Sequence, residues 1–266
     1  MEKERLKDIK CFLFDMDGTI YLGNALLPGV ADFFKKLRDA GKDYYFVTNN
    51  SSKGHIHYAK KLIRMGISAE PRDVVISSDA LNYYLQKIRP QAKLYILGTE
   101  ELKETIRNAG FTIIEDEQTT PDFVIVGFDM SLEYKTLAHS CRLIDKGVPF
   151  IATHSDVRCP IENGEFIPDC GAMLALIKSA TGKEPVNIMG KPNHYIIDLV
   201  REKANYEKDE IAMVGDRLYT DIAFGLNNNI LSVLVLTGEA TMDDVERTNI
   251  RPDIILNNVV EILDYI

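Results

Sequence analysis

A short apolar run near the start of the chain ends abruptly in acidic residues. Residues 12–14 read Phe-Leu-Phe and are followed by Asp15, Asp17 and Gly18. Such a run predicts a buried strand, and in an open parallel sheet the carboxyl ends of the strands border the ligand crevice. The two carboxylates are therefore expected to face a site, where oxygen ligands of this kind suit Mg²⁺. Taken alone, the segment is equally consistent with a polar turn.

Apolar runs of strand length alternate with segments of helical periodicity along the chain. Strands are predicted at residues 12–14, 44–47, 74–77, 94–97, 123–126, 148–152, 186–189, 211–214, 231–236 and 253–256. Helices are predicted at about residues 30–37, 56–63, 102–109, 134–144, 172–180, 195–204 and 259–265. This alternation predicts an α/β fold. The pattern restarts near Leu81, which indicates an inserted unit with a sheet of its own.

Polar side chains follow four of the predicted strands. They are Asp15 with Asp17, Thr48, Lys191, and Asp216 with Asp221. Each also has an ordinary explanation, Lys191 as a solvated lysine and Asp216 as a helix cap. Ser51 and Ser52 are more readily explained as caps of the helix that follows them. Together, the four strand ends supply a nucleophile, an acid or base, phosphate donors, a charge neutraliser and metal ligands.

The overall charge argues against nucleic acid as a partner. The 266 residues have a formal net charge of -9, whereas nucleic-acid-binding proteins normally show a basic face. No apolar run approaches the length of a membrane span, and the charged N-terminal segment lacks an apolar signal. We therefore expect a cytoplasmic protein that does not contact membranes. The four cysteines form no CxxC pair, so neither a zinc site nor a disulfide framework is predicted.

Four short motifs occur in an order that is typical of one enzyme family. They are Asp15-Met16-Asp17-Gly18-Thr19, residues 47–52 (Val-Thr-Asn-Asn-Ser-Ser), Gly190-Lys191-Pro192, and Gly215-Asp216 followed by Thr220-Asp221. With DxDGT, a strand-end Thr, a Lys and GDxxxTD, the chain resembles the phosphatases of the haloacid dehalogenase superfamily. The second and third motifs, with the large insertion between them, resemble its NagD-like, para-nitrophenyl phosphatase branch. The resemblance covers essentially the whole chain.

The resemblance implies a Rossmann-like, doubly wound parallel-sheet core with an inserted α/β cap domain of the C2 type. In this interpretation, residues 1–79 and 185–266 form the catalytic core and residues 80–184 form the cap. Members of the branch often associate through their caps, so a homodimer is expected. The implied activity is hydrolysis of a small phosphorylated metabolite with Mg²⁺ as the cofactor.

The resemblance also implies roles for the residues at the strand ends. Asp15 would attack phosphorus to form an aspartyl-phosphate, and Asp17 would protonate the leaving oxygen and then activate water. Lys191 would hold Asp15 and the phosphate together. Thr48 and the Asn49 amide would bind the phosphoryl oxygens.

The metal ligands follow from the same resemblance. Mg²⁺ would be held by the Asp15 carboxylate, the Asp17 carbonyl and Asp216. Asp221 would support this site indirectly, through a water or a neighbouring ligand.

Two loops of the insertion contain its most site-like polar residues. They provide four candidates for selecting the substrate: His154, Asp156, Arg158 and Asp169. Thr153-His154-Ser155-Asp156 and Pro168-Asp169-Cys170-Gly171 resemble the cap loops of the branch, which tend to read TNxD and PGxG. Because the two loops depart from these patterns, the resemblance does not identify the substrate. The departures do not affect the reaction that it implies.

Other functions remain compatible with the same residues. A phosphotransferase or mutase would pass the aspartyl-phosphate to an acceptor other than water. A non-catalytic sensor of phosphorylated ligands would keep the metal site without turnover, although the complete set of candidate catalytic residues argues against it. Dehalogenation is disfavoured, because displacing a halide needs no magnesium-binding acids.

Overall fold

The computed structural model describes residues 2–161 and 165–266. Its strands are, in chain order, β1 (Cys11–Phe14), β2 (Tyr21–Leu22), β3 (Ala25–Leu26), β4 (Asp43–Thr48), β5 (Val74–Ile76), β6 (Lys93–Leu97), β7 (Thr112–Ile113), β8 (Phe123–Val126), β9 (Phe150–Ala152), β10 (Arg158–Pro160), β11 (Phe166–Pro168), β12 (Asn187–Ile188), β13 (Ile211–Gly215), β14 (Leu231–Val235) and β15 (Ile254–Leu256).

The α-helices alternate with these strands. They are α1 (Val30–Asp39), α2 (His55–Arg64), α3 (Ser77–Ile88), α4 (Glu100–Asn108), α5 (Tyr134–Asp145), α6 (Cys170–Thr181), α7 (Tyr195–Ala204), α8 (Ala223–Asn228) and α9 (Met242–Arg247). Short 3-10 helices occur at Lys3–Asp8, Pro71–Asp73, Lys208–Glu210 and Val259–Asp264, and a π-helical turn at Leu218–Ile222. Within the described ranges, no helix is both long and apolar enough to cross a membrane.

The chain forms two compact units. The core unit contains residues 2–48, His55–Val75 and Lys191–Ile266, and the inserted unit contains Asn49–Gly54, 76–161 and 165–190. The boundaries drawn from the sequence, after residues 79 and 184, lie a few residues away and remain predictions.

The core unit is built on a six-stranded sheet with the order β15-β14-β13-β1-β4-β5. Strand β1 lies at its centre and pairs in parallel with β13 and with β4. All four residues of β1 are buried, as expected for a parallel strand covered on both faces. The strand order reverses between β1 and β13, and ligands bind at such a switch point in open α/β sheets. The predicted α/β class with a parallel-sheet core is confirmed.

Aromatic packing explains how α1 is held on this sheet. Its Phe34 packs edge-on against Phe14 of β1 and Phe46 of β4, with ring centroids 5.1 and 5.0 Å apart. Burying each such ring contributes about 1.5–3 kcal/mol, before any gain from ring geometry. This packing stabilises the two strands whose carboxyl ends bear Asp15 and Thr48.

The inserted unit has its own parallel sheet of five strands, in the order β12-β9-β8-β6-β7. Its hydrophobic cluster joins that sheet to α5 and α6, with Phe128, Phe150 and Ile177 fully or nearly fully buried. Thr99 caps α4 as the sequence predicts, accepting a hydrogen bond from the Leu102 N–H.

Several local predictions from the sequence are wrong or incomplete. The run 186–189 forms β12, which pairs with β9 in the inserted unit, so Lys191 does not follow a strand of the core sheet. Ser77 begins α3 instead of ending a strand, because the Asp79 carboxylate accepts from the Ile76 N–H and starts a helix there. The sequence predicted none of β2, β3, β7, β10, β11, α3, α8 and α9, and the last helix is 3-10.

The predicted apolar stripe of α2 is also only half correct. Ala59 and Leu62 are buried, but Ile56 and Ile63 are 62% and 56% exposed. Tyr58, which the stripe omitted, is buried instead. The buried face of this helix is therefore rotated towards Tyr58 relative to the prediction.

Candidate active site

Lys191 joins acidic side chains from two neighbouring strand ends of the core unit. Its Nζ donates to Asp15 Oδ1 at 2.6 Å and to Asp221 Oδ1 at 2.7 Å, and it lies 3.5 Å from the Val47 carbonyl oxygen in β4. The side chain is only 2% exposed. Lys191 therefore reaches the predicted place although the strand before it belongs to the inserted unit.

Asp15 follows β1 directly and continues its pairing with β13. Its N–H donates to the Val214 carbonyl at 2.9 Å. This backbone bond fixes the direction in which Asp15 leaves the sheet at the switch point.

Asp216 is held by two loops on opposite sides of its carboxylate. Thr19 Oγ1 donates to Oδ1 at 3.1 Å, and the Glu239 N–H donates to Oδ2 at 2.7 Å. Both loops approach so closely that a Cβ on Gly18 or Gly238 would lie 2.3 or 2.0 Å from Asp216 Oδ2. Gly18 also has a φ of +88°, which a residue with a side chain rarely adopts.

The loop that contains Gly238 and Glu239 was not predicted from the sequence. It follows β14, so it is a further strand end at the same edge of the sheet. Thr237 ties it to the first motif, because its Oγ1 donates to the Gly18 carbonyl at 2.7 Å. The available signal was a Thr-Gly pair directly after a predicted strand.

Asp221 uses both carboxylate oxygens within the protein. Oδ1 accepts from Lys191 and Oδ2 accepts from the Arg217 N–H at 3.1 Å. The π-helical turn Leu218–Ile222 brings Asp221 so near that a Cβ on Gly215 would lie 2.3 Å from its carboxyl carbon. These contacts hold Asp221 beside Lys191, and its indirect support of a metal site remains a prediction.

Asp17 lies beside the β2–β3 hairpin and accepts a hydrogen bond from the Gly23 backbone. Burial raises the pKa of its carboxyl group, and the positive charges of Lys61 and Arg217 oppose this shift. A carboxyl group with a raised pKa retains its proton more readily and so suits a proton donor.

Burial makes the carboxyl groups of the acidic cluster harder to ionise. Burial raises the pKa of Asp15 to about 8, against the opposing effect of Lys191. Burial and the nearby Asp221 raise the pKa of Asp216 to about 6.

Oxygen atoms of Asp15, Asp216 and Asp221 lie within 4.8 Å of one another. These three carboxylates face two cations, Lys191 and Arg217, so an anionic phosphate entering the site would increase an existing negative excess. An all-oxygen donor set with excess negative charge fits a hard divalent cation.

The two predicted phosphate-binding residues lie in different units. Thr48 is the last residue of β4, whose carboxyl end is beside that of β1. Asn49 belongs to the inserted unit, where its Nδ2 donates to the two Asp156 oxygens at 3.1 and 3.3 Å. Phosphate binding by Thr48 and by the Asn49 amide remains a prediction.

Three of the four cap candidates come together in the inserted unit. His154 Nε2 lies 2.8 Å from Asp169 Oδ1, and ligand atoms of His154, Asp156 and Asp169 lie within 4.8 Å of one another. Arg158 instead stacks on Phe166 in the β10–β11 hairpin, with its guanidinium 4.3 Å from the ring centroid.

His154 and Asp169 have partners inside the protein. They are 0% and 4% exposed, and Asp169 Oδ1 also accepts from the Cys170 N–H at 2.6 Å, which caps α6. Substrate contacts by the four cap candidates remain predictions.

Ser51 and Ser52 do not cap α2, which begins at His55. Ser51 Oγ lies 2.9 Å from Thr153 Oγ1 and accepts from the Phe128 N–H at 3.3 Å. Ser52 Oγ donates to Asn50 Oδ1 at 2.7 Å. The capping prediction was wrong because both serines pack with the inserted unit, which the local sequence does not show.

Comparisons with known proteins agree with these motifs. The model of the haloacid dehalogenase-like hydrolase family matches residues 12–112, and a second model of such hydrolases matches residues 188–262. The chain is 36% identical over 247 residues to an acid sugar phosphatase of Staphylococcus aureus, covering 93% of this chain and 94% of that protein.

Solved structures similar to this chain are also phosphatases. A 4-nitrophenylphosphatase from Thermotoga maritima has a TM-score of 0.93 and 42% identity, and the match covers 98% of each chain. A glycerol phosphate phosphatase from Mycobacterium tuberculosis, solved in complex with magnesium, has a TM-score of 0.90 and 29% identity over 97% of this chain and 77% of that one. The chain therefore belongs to the haloacid dehalogenase-like hydrolases, and within them to the NagD-like, para-nitrophenyl phosphatase branch of phosphatases.

Proposed function

We propose that this chain hydrolyses small phosphomonoesters in a magnesium-dependent reaction that passes through an aspartyl-phosphate on Asp15. The observation that supports this most strongly is the cluster at the switch point of the core sheet. There, Asp15 contacts the buried Lys191, and carboxylate oxygens of Asp15 and Asp216 lie within 4.8 Å of each other.

Asp15 is the nucleophile in this proposal. One of its carboxylate oxygens forms a bond to phosphorus while the bond from phosphorus to the ester oxygen breaks. Asp17 donates its proton to that leaving oxygen, which departs as an alcohol. Asp17 then takes a proton from water, and the water oxygen forms a bond to phosphorus while the bond from phosphorus to the Asp15 oxygen breaks. Inorganic phosphate is released and the Asp15 carboxylate is restored.

The neighbouring residues position the reactants and offset their charge. Lys191 holds the Asp15 carboxylate from the buried side and neutralises part of the charge on the phosphoryl group. The Thr48 hydroxyl and the Asn49 amide are proposed donors to the phosphoryl oxygens. Phosphoryl transfer depends mainly on such positioning and charge stabilisation.

Three groups would hold the metal ion, namely the carboxylates of Asp15 and Asp216 and the backbone carbonyl of Asp17. A bound Mg²⁺ supplies positive charge that offsets the repulsion between an anionic nucleophile and an anionic phosphate. The chain maintains this ligand set through the Thr19 and Glu239 contacts to Asp216.

We propose sugar phosphates as the first substrate class to examine, because the Staphylococcus aureus relative is an acid sugar phosphatase. Association of two copies through the inserted unit is a further proposal, which sedimentation velocity would test.

The test is phosphate release from para-nitrophenyl phosphate by the parent protein and Asp15→Asn, with Mg²⁺ and with a chelator. We expect magnesium-dependent turnover in the parent and none in a folded Asp15→Asn. Asp39→Asn, at an exposed position at the end of α1, is the matched control and should behave as the parent.

Each other outcome is informative. A fully active Asp15→Asn would refute the nucleophile assignment. An inactive parent, on this reagent and on a panel of sugar phosphates, would favour a sensor, and product formed only with an added alcohol acceptor would favour a transferase.

A further inference from the structure

Arg217 is a second cation of the acidic cluster that the motif comparison leaves without a role. It lies between Asp216 and the π-helical turn, and its side chain is 14% exposed, compared with 2% for Lys191. Arg217 is thus the more accessible of the two cations.

Arg217 directly follows the proposed metal ligand Asp216, and its backbone N–H donates to Asp221 Oδ2 at 3.1 Å. Burial alone would lower its pKa, but the carboxylates of Asp15, Asp216 and Asp221 outweigh burial and raise it above its ordinary value. Arg217 in turn lowers the pKa of Asp17. The guanidinium charge therefore acts on the three acids of the cluster and on Asp17.

Glu239 connects Arg217 to the loop that holds Asp216. Its Oε2 lies 3.1 Å from Arg217 Nε, and the same oxygen accepts from the Tyr219 hydroxyl at 3.1 Å. Its backbone N–H donates to Asp216 Oδ2. One residue thus contacts both a proposed metal ligand, through its backbone N–H, and the arginine, through its side chain.

The two cations are engaged differently. The Lys191 ammonium contacts two carboxylates, Asp15 and Asp221, at 2.6 and 2.7 Å. One ammonium does not neutralise two carboxylates, so an entering phosphate dianion needs further positive charge. A guanidinium is suited to that task because its planar array of N–H donors can bond two phosphate oxygens in parallel.

We infer that Arg217 is a phosphate-binding residue of the active site and that Glu239 is the positioning residue that holds it there. This inference rests on the proposed function, because it assigns the phosphate of the same site. Lys191 then holds the nucleophile, while Arg217 binds the incoming phosphoryl group.

The experiment measures the affinity for inorganic phosphate, in the presence of Mg²⁺, by titration calorimetry and by inhibition of para-nitrophenyl phosphate turnover. The variants are Arg217→Met, Arg217→Gln, Arg217→Lys and Glu239→Gln. Another Arg–Glu pair in the core unit provides matched controls: Arg201 Nη2 lies 3.0 Å from Glu207 Oε2 at the end of α7. Arg201→Met and Glu207→Gln should bind phosphate as the parent does.

We expect Arg217→Met and Arg217→Gln to weaken phosphate binding on the order of 10- to 100-fold, the usual effect of losing a charged hydrogen bond. Arg217→Lys should restore part of the loss. Glu239→Gln should raise KM more than it lowers kcat, because the arginine is retained but less well placed.

Parent-like phosphate affinity in either folded uncharged variant would overturn the inference, and if one variant does not fold, the other decides. An equal loss of phosphate affinity in Arg201→Met would also overturn it, because the effect would not be local. A parent that binds phosphate but hydrolyses no ester would refute the proposed hydrolysis, while the binding measurement would still decide the role of Arg217.

Discussion

The core unit and the inserted unit each contain a cluster of three ionisable side chains whose ligand atoms lie within 4.8 Å of one another. In the core unit these are Asp15, Asp216 and Asp221. In the inserted unit they are His154, Asp156 and Asp169. The clusters are similar in size and burial, but they differ in how their charge is compensated.

The second cluster obtains its partners from its own unit. His154 contacts Thr153 Oγ1 through Nδ1 and Asp169 through Nε2, and Asn49 donates to Asp156. The first cluster has only acids, with burial raising the pKa of Asp15 and Asp216. The second cluster therefore combines an imidazole with two acids, whereas the first combines three acids, two of which contact the ammonium of Lys191.

The largest expected effect is on the core cluster. Lys191→Met leaves Asp15 and Asp221 close together without their shared cation, so it should abolish turnover. Removing one partner of a buried ion pair costs about 3–5 kcal/mol, and we expect a loss of unfolding free energy of that size in chelator. Urea denaturation and phosphate release measure the two effects. A variant as stable and as active as the parent would contradict our account of Lys191.

A smaller effect is expected for the inserted cluster. His154→Asn or Asp169→Asn should each lower the unfolding free energy by about 3 kcal/mol, because each leaves a buried partner without its counterpart. In a double-mutant cycle the two should be coupled by about 1 kcal/mol or more.

The exposed pair His194–Asp198 is the matched control for this cycle. Its Nδ1 and Oδ2 atoms are 2.7 Å apart, but the side chains are 57% and 40% exposed. His194→Asn and Asp198→Asn should therefore be coupled by less than about 0.5 kcal/mol. Equal coupling energies in the two pairs would show that burial does not strengthen the interaction between His154 and Asp169.

The last effect expected is a pH dependence of thermal stability in chelator. The raised pKa values of Asp15, about 8, and Asp216, about 6, mean that the folded protein binds more protons than the unfolded chain between pH 4 and 8. Stability should therefore fall as pH rises through this interval, and each kcal/mol lost lowers Tm by about 2–4 °C. Added Mg²⁺ should flatten the profile, and Asp216→Asn should remove part of it.

Calorimetry from pH 5 to 8 measures this profile. The pKa of His154 is also raised, because Asp169 and Asp156 outweigh its burial, so its contribution falls with rising pH in the same direction. Comparing the pH profiles of Tm for Asp216→Asn and His154→Asn shows how much each cluster contributes to the pH dependence. A Tm in chelator that rises over this range would contradict the raised pKa values of Asp15 and Asp216.

The local sequence predicted elements better than it predicted their partners. The spacing of apolar residues located α7 to the residue and β8 likewise, because helical and strand periodicity are local properties. It could not show that β12 joins the sheet of the inserted unit, since that depends on pairing with β9, whose Ile151 lies opposite Asn187. For the same reason, Ser51 was wrongly predicted to cap α2, because its contact with Thr153 cannot be seen in the local sequence.

The site was predictable where short motifs define it and not where distant loops complete it. Asp15, Lys191, Asp216 and Asp221 lie together as the motifs implied. Glu239 belongs to no recognised motif, and only the folded chain shows that its backbone holds Asp216. His154 and Asp169, where the cap loops depart from the family pattern, contact each other, which neither loop shows alone.

The pairing of β1 with β13 has a consequence for how the protein is made. Cys11 lies opposite Ile211, 200 positions later in the chain (211 − 11). At ribosomal rates of about 5–20 residues per second, β13 is synthesised roughly 10–40 s after β1. During that time one edge of an entirely apolar strand has no partner. The whole of the inserted unit is synthesised in the same interval, before β13. The nascent chain can therefore complete the inserted unit first, and Asp15 meets Asp216 only in the last stage of synthesis.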